Sequence, residues 1–127
     1  MARSNSFLMD THIFIWAMEG GKKLPLKTKD ILQNSENEIF LSVASVWEIV
    51  IKQAKGRLRT PRNVEESVRQ TGFNILPIEI SHALEVAKLP SYHNDPFDRM
   101  LIAQAKVEKL NLITADQKIK KYDIPTI

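Results

Sequence analysis

Phe7-Leu8-Met9-Asp10-Thr11-His12-Ile13-Phe14-Ile15-Trp16-Ala17-Met18-Glu19-Gly20-Gly21 reads as one strand–helix unit. Three apolar residues make a short strand, a helical stretch runs from Thr11 to about Glu19, and the paired glycines stop it. The same phrase recurs along the chain. Ile39-Phe40-Leu41 is followed by Ser42, a cap for the apolar helix from Val43 to about Lys55, which Gly56 ends. Asn63 with Glu66 has the pattern of a capping box opening a helix that stops at Gly72. Asn74 to Ile78 is a third strand, in which Pro77 marks a strand end or a sheet edge. Leu112-Ile113 is a fourth, and Ile124 is a candidate for a fifth. Three further helices are expected: Lys27 to Ser35, a stretch capped by Ser81 and stopped by Pro90, and one opened by Asp95-Pro96 that runs to about Lys109. Strands alternating with helices of about ten residues predict an α/β fold, with a mostly parallel sheet and helices on both faces.

The bulk properties agree. A chain of 127 residues suits one domain, here 1–127, with a real core. An apolar fraction of 43% and a charged fraction of 26% exclude disordered and fibrous classes. There is no cysteine, so disulfides and thiolate zinc sites are excluded, which fits a reducing cytosol. Residues Met1 to Phe7 lack a signal-peptide core, and no apolar run approaches the ~18 residues that span a bilayer. The expectation is a cytoplasmic protein with no membrane partner. The net charge of +3 is compatible with nucleic acid without demanding it. Lys52, Lys55, Arg57, Arg59 and Arg62 form one basic stretch, and Lys118, Lys120 and Lys121 another. Each suits a phosphate backbone, and each equally suits a solvated surface.

In parallel α/β folds, ligands bind beyond the carboxyl ends of the strands. Asp10 directly follows the first strand there, and Asp116 closely follows Leu112-Ile113 in the run Ile113-Thr114-Ala115-Asp116. Glu48 interrupts the apolar helix Ser45-Val46-Trp47-Glu48-Ile49-Val50-Ile51, where an unpaired carboxylate needs a partner, a cation or water. Asp98 lies in the first turn of the helix that starts at Pro96. Each also admits a purely structural role. Asp10 suits the cap of the first helix, and Asp98 the third helical position, where free N–H groups and the helix dipole favour a carboxylate. Asp116 suits the cap of a terminal turn, and Glu48 an ion pair with Arg or Lys. Their joint pattern is the stronger signal.

Four blocks carry a family resemblance across nearly the whole chain: Leu8-Met9-Asp10-Thr11-His12, Ser42-Val43-Ala44-Ser45-Val46-Trp47-Glu48-Ile49, His93-Asn94-Asp95-Pro96-Phe97-Asp98-Arg99-Met100-Leu101-Ile102-Ala103-Gln104-Ala105, and Leu112-Ile113-Thr114-Ala115-Asp116. The sequence resembles the PIN-domain family, and within it the toxin halves of VapC-like toxin–antitoxin pairs. The resemblance implies an α/β/α sandwich, a divalent metal, cleavage of RNA, inhibition by a cognate antitoxin, and a homodimer. By resemblance, the family's four acidic residues fall on Asp10, Glu48, Asp98 and Asp116.

Carboxylates without cysteine or an evident histidine cluster make a hard-ligand site, suited to Mg²⁺ or Mn²⁺ rather than zinc. Asp10 and Asp98 are the expected principal ligands, with Asp116 contributing directly or through water. Glu48 is expected to bind a second ion or to orient a water. Thr11, Ser45 and Thr114 are candidate supporting hydroxyls, or ordinary caps. Asp95 is expected as a helix cap, His12 and His82 as structural residues, and Trp16 and Trp47 as core. His93 has no evident histidine partner, and Arg99 is expected to meet either RNA phosphate or a neighbouring carboxylate. Three rival functions are weighed: a phosphoacceptor receiver domain, a PIN-like RNA- or protein-binding module without catalysis, and a PIN nuclease in RNA processing. The receiver reading requires adjacent acids after the first strand, and Asp10 is followed by Thr11 and His12.

Overall fold

The computed structural model describes residues 3–57 and 63–127. Strands β1 (Ser6–Met9), β2 (Glu38–Ser42), β3 (Asn74–Leu76) and β4 (Asn111–Ile113) form one sheet in the order β3-β2-β1-β4, and every neighbouring pair is parallel. Around it lie α1 (Thr11–Met18), α2 (Leu26–Gln33), α3 (Val43–Ala54), α4 (Val64–Thr71), α5 (Ile80–Val86) and α6 (Pro96–Glu108).

The pleat sorts the strand residues onto two faces. Phe7 and Met9 of β1, Ile39 and Leu41 of β2, and Ile113 of β4 pack with Ile13 and Phe14 of α1, Ile49 of α3 and Val64 of α4. Leu8 and Leu112 face the other way and pack against Leu101, Ile102 and Ala105 of α6. Burial on both faces is why the strands read as unbroken apolar runs rather than as alternating patterns. The result is a three-layer α/β/α sandwich.

Most boundaries fall where the punctuation puts them. Pro77 ends β3, which is an edge strand. Asn63 caps α4 by accepting the N–H groups of Glu65 and Glu66, and Gly72 closes that helix at φ 71°, a conformation costly for any residue with a Cβ. Two expectations are corrected. Helix α5 begins at Ile80 rather than after Ser81, because the Glu79 N–H donates to Nδ1 of His82 (2.9 Å) and sets the first turn earlier. The fifth pairing is an isolated parallel bridge of Thr126 with Leu112, so Ile124 is not a strand residue and packs its side chain against the α6-side core.

A buried polar junction ties three elements together at the carboxyl edge of the sheet. The Ser42 hydroxyl donates to Oε1 of Gln104 (2.5 Å), and Gln104 Nε2 donates to the Pro77 carbonyl (3.2 Å). Ser42 at the end of β2 and Gln104 on α6 are both fully buried. Replacing the amide orphans both partners, so Gln104→Leu is expected to lower stability by about 1–3 kcal/mol in denaturant titrations. A variant within about 0.5 kcal/mol of wild type would show that the junction contributes nothing specific.

Candidate active site

The strand order reverses at β1, which leads to β2 on one side and has β4 on the other. Crevices at such switch points are where parallel sheets bind ligands. Asp10 leaves β1 and Thr114 leaves β4 at this point, and they meet: the Thr114 hydroxyl donates to Oδ2 of Asp10 (2.5 Å). Oδ1 of Asp10 accepts the Ile13 N–H (2.8 Å), so the residue also caps α1. The cap reading of Asp10 is borne out, and the capping residue stands at the switch point. Burial raises its carboxyl above the ordinary 3.8, against the lowering effect of Thr114, of the Ile13 N–H and of His12.

Asp95 caps α6 through Oδ1, which accepts the N–H groups of Phe97 and Asp98, and Pro96 occupies the first turn. That cap fixes Asp98 at the third position of the helix. Asp98 is pushed up to about 7, chiefly by burial, then by the charge of Asp95, with Glu48 and Asp10 adding to it and His93 opposing it. Burial is the main cause, and the smaller contributions of Asp95, Glu48 and Asp10 show that these acids lie near enough to be felt.

Asp116 follows β4 in a turn closed by its own backbone N–H on the Thr114 hydroxyl (3.0 Å). Burial pulls its carboxyl upward, but hydrogen bonds from the Lys118 N–H, from His93 and from the Ile119 N–H outweigh this and leave it below the ordinary value. Atoms of Asp98, Asp116 and His93 lie within 4.8 Å of one another, the one such grouping of candidate metal ligands among the described residues.

Glu48 is buried on α3. Its Oε2 pairs with Lys52 one turn on (2.8 Å), while Oε1 is buried without a hydrogen-bond partner. An orphaned carboxylate oxygen beside further acids is the arrangement that a cation would complete. Asp98 and Asp116, the two carboxylates in the 4.8 Å grouping, are hard donors that fit a divalent metal, while Asp10 and Glu48 lie outside that grouping. The Thr11 hydroxyl donates to Ser45 Oγ (2.9 Å), tying the start of α1 to the first turns of α3, where Glu48 sits.

Several residues fall elsewhere than expected. His93 joins the acids directly, its Nε2 3.0 Å from Asp98 and 3.1 Å from Asp116. Arg99 pairs with no carboxylate among the described residues; its guanidinium donates to the carbonyls of Val86, Leu89, Pro90 and His93. Trp47 is not core: it is 57% exposed, with its ring edge-on to Phe97. Trp16 packs partly buried against the α1-side core. His82 is structural as expected, fully buried and 2.7 Å from Glu108, whereas His12 is exposed at the start of α1. In the basic stretch Lys52 serves Glu48, Lys55 and Arg57 are exposed, and Arg59 and Arg62 lie outside the described residues.

An all-parallel α/β/α sandwich with acids gathered at its switch point defines the class of this protein. Residues 7–125 match the family model of the PIN domain, and the chain belongs to that family. Solved structures share the fold. A chain of a toxin–antitoxin complex from Klebsiella pneumoniae is 20% identical, with a TM-score of 0.66 over 94% of both chains. A chain of FitAcB from Neisseria gonorrhoeae is 22% identical, with 0.66 over 95% of this chain and 96% of that one. A chain of VapBC2 from Rickettsia felis, bound to a promoter DNA fragment, is 14% identical, with 0.70 over 96% and 97%. No curated protein matches the chain.

The Asp98 shift has a sign that can be tested. The unfolded carboxyl ionises near 3.8 and the native one near 7, so folding takes up a proton between those values. The associated stability is fully present below about pH 4 and is lost as pH rises to about 7. In EDTA, wild type is expected to lose more stability between pH 5 and pH 8 than Asp98→Asn does. Equal losses in denaturant titrations would show that Asp98 is not the group responsible.

Proposed function

We propose that the protein is a divalent-metal-dependent endoribonuclease and acts as the toxin of a toxin–antitoxin pair. The observation that carries this reading is the grouping of Asp98, Asp116 and His93 within 4.8 Å, together with the orphaned Oε1 of Glu48, whose charge Asp98 senses. Asp10, Asp98 and Asp116 would hold the metal, and hard oxygen donors favour Mg²⁺ or Mn²⁺. When bound, such an ion supplies Lewis acidity toward phosphate oxygens and offsets the charge that builds during hydrolysis. The chain's own residues do the rest. Thr114 and the Ile13 N–H fix the two oxygens of Asp10, and the Asp95 cap fixes Asp98. Lys52 holds one oxygen of Glu48, leaving the other to bind a second ion or to orient a water. Lys55 and Arg57, which are exposed, would meet the RNA backbone.

The partner reading has its own support. Val43, Trp47 and Val50 form an exposed apolar stripe along α3. A groove of about 600 Å³ lies between this stripe and α4, and a second of about 440 Å³ lies between it and Phe97 and Met100 of α6. Exposed apolar surface of this kind marks a protein-binding face, here assigned to a cognate antitoxin. Relatives of this fold are solved as toxin–antitoxin complexes. No helix among the described residues is long and apolar enough to cross a membrane, which is compatible with action in the cytoplasm. A homodimer completes the proposal.

Purified protein is expected to cut total RNA with Mg²⁺ or Mn²⁺ and not with EDTA. Asp10→Asn and Asp98→Asn are expected to keep the circular dichroism of the fold and to lose at least 100-fold in cleavage rate, the ~10²-fold or more typical of a removed stabilising group. Cleavage by either variant at the wild-type rate would refute the site, and a wild type that binds RNA without cutting it would favour a non-catalytic module.

A further inference from the structure

His93 has no part in the chemistry above, yet it stands between two of the acids. Its Nε2 faces Oδ2 of Asp98 at 3.0 Å and Oδ2 of Asp116 at 3.1 Å. Its Nδ1 accepts the backbone N–H of Asp95 at 3.2 Å. A neutral imidazole has one donor and one acceptor nitrogen, so the acceptor at Nδ1 places the proton on Nε2. A protonated Nε2 has no lone pair to offer a cation, and its single N–H points at two carboxylates. Proximity alone would make His93 a third ligand; the hydrogen bond on the far side of the ring makes it a donor.

The loop that carries His93 is itself anchored. The His93 N–H donates to the Tyr122 hydroxyl (2.9 Å), which donates in turn to the Pro90 carbonyl (2.8 Å). Arg99, the residue after Asp98, donates to the carbonyls of Val86 and Leu89 at the end of α5, and to those of Pro90 and His93. These are carbonyls at a helix end and in an irregular loop, where regular backbone pairing runs out. The guanidinium thus holds the loop to α6 and the phenol holds it to the C-terminal segment, and the loop holds the imidazole against the acids.

We propose that His93 is a positioning residue whose Nε2–H draws Asp98 and Asp116 together, and that Arg99 and Tyr122 act through it by fixing its loop. The inference rests on the metal reading given above. It assigns His93 to the groups that orient ligands rather than to the ligands themselves.

Two measurements test it. Ring ¹⁵N spectra of the wild type, in EDTA and then with Mg²⁺, are expected to show His93 protonated at Nε2 in both states; loss of that proton on adding Mg²⁺ would make His93 a ligand and overturn the proposal. Titration with Mn²⁺ alone is expected to show affinity falling about 10- to 100-fold in His93→Ala, the usual effect of removing a group that orients a ligand. His93→Gln, which keeps an N–H at similar reach, is expected to recover most of that loss, a rescue that a space-filling role would not give. Tyr122→Phe is expected to weaken binding while leaving the core ring in place. Wild-type affinity in His93→Ala would refute the positioning role alone. A wild type that binds no Mn²⁺ would instead remove the metal reading, and the proposal with it.

Discussion

Like charges gathered at one edge of a parallel sheet repel, and the rest of this structure is arranged around that repulsion. Two full charges within about 5 Å, at an effective dielectric of ~20, repel by roughly 3–4 kcal/mol. Among the described residues, Asp98 and Asp116 lie this close, and Asp98 also senses Asp95, Glu48 and Asp10. The protein manages the crowding with hydrogen bonds. Asp10 takes a hydroxyl and a backbone N–H, Asp95 two helical N–H groups, Asp116 the N–H of Lys118, and Glu48 a lysine. What these donors leave over is the free oxygen of Glu48 and the raised carboxyl of Asp98.

The sheet explains why the acids meet. Parallel strands point all their carboxyl ends the same way, and the order β3-β2-β1-β4 opens a crevice beside β1. Asp10 and Asp116 lie on the two sides of that crevice because they leave adjacent strands. Glu48 arrives in the second turn of α3, and Asp98 in the first turn of α6, where free N–H groups favour negative charge. A carboxylate such as Asp10 that caps a helix is also one whose position is fixed before any ligand arrives.

Much of this was legible in the residues. Apolar triplets gave the strands, and Asp95-Pro96 gave both the start of α6 and the place of Asp98. The faces of α3 were not legible, because apolar residues cover nearly its whole circumference. Ala44 and Ile49 turn inward while Val43, Trp47 and Val50 turn out, and only packing decides which. The role of His93 was hidden for a different reason. It depends on a backbone N–H two residues away and on acids that only the fold brings near, and no spacing encodes that. The contacts of Arg99 are hidden in the same way: most are to carbonyls, which leave no mark in a sequence.

The central claim is that these acids converge on one cation. Thermal melting of wild type and Asp98→Asn, each in EDTA and in saturating Mg²⁺ or Mn²⁺, tests it most directly. Wild type should melt higher with metal, with about 2.7 kcal/mol of stabilisation at 100 times the dissociation constant. Asp98→Asn should match or exceed metal-free wild type, because one like charge is gone, and should lose most of the metal response. A wild type indifferent to metal, or a variant that keeps the full shift, would contradict the account.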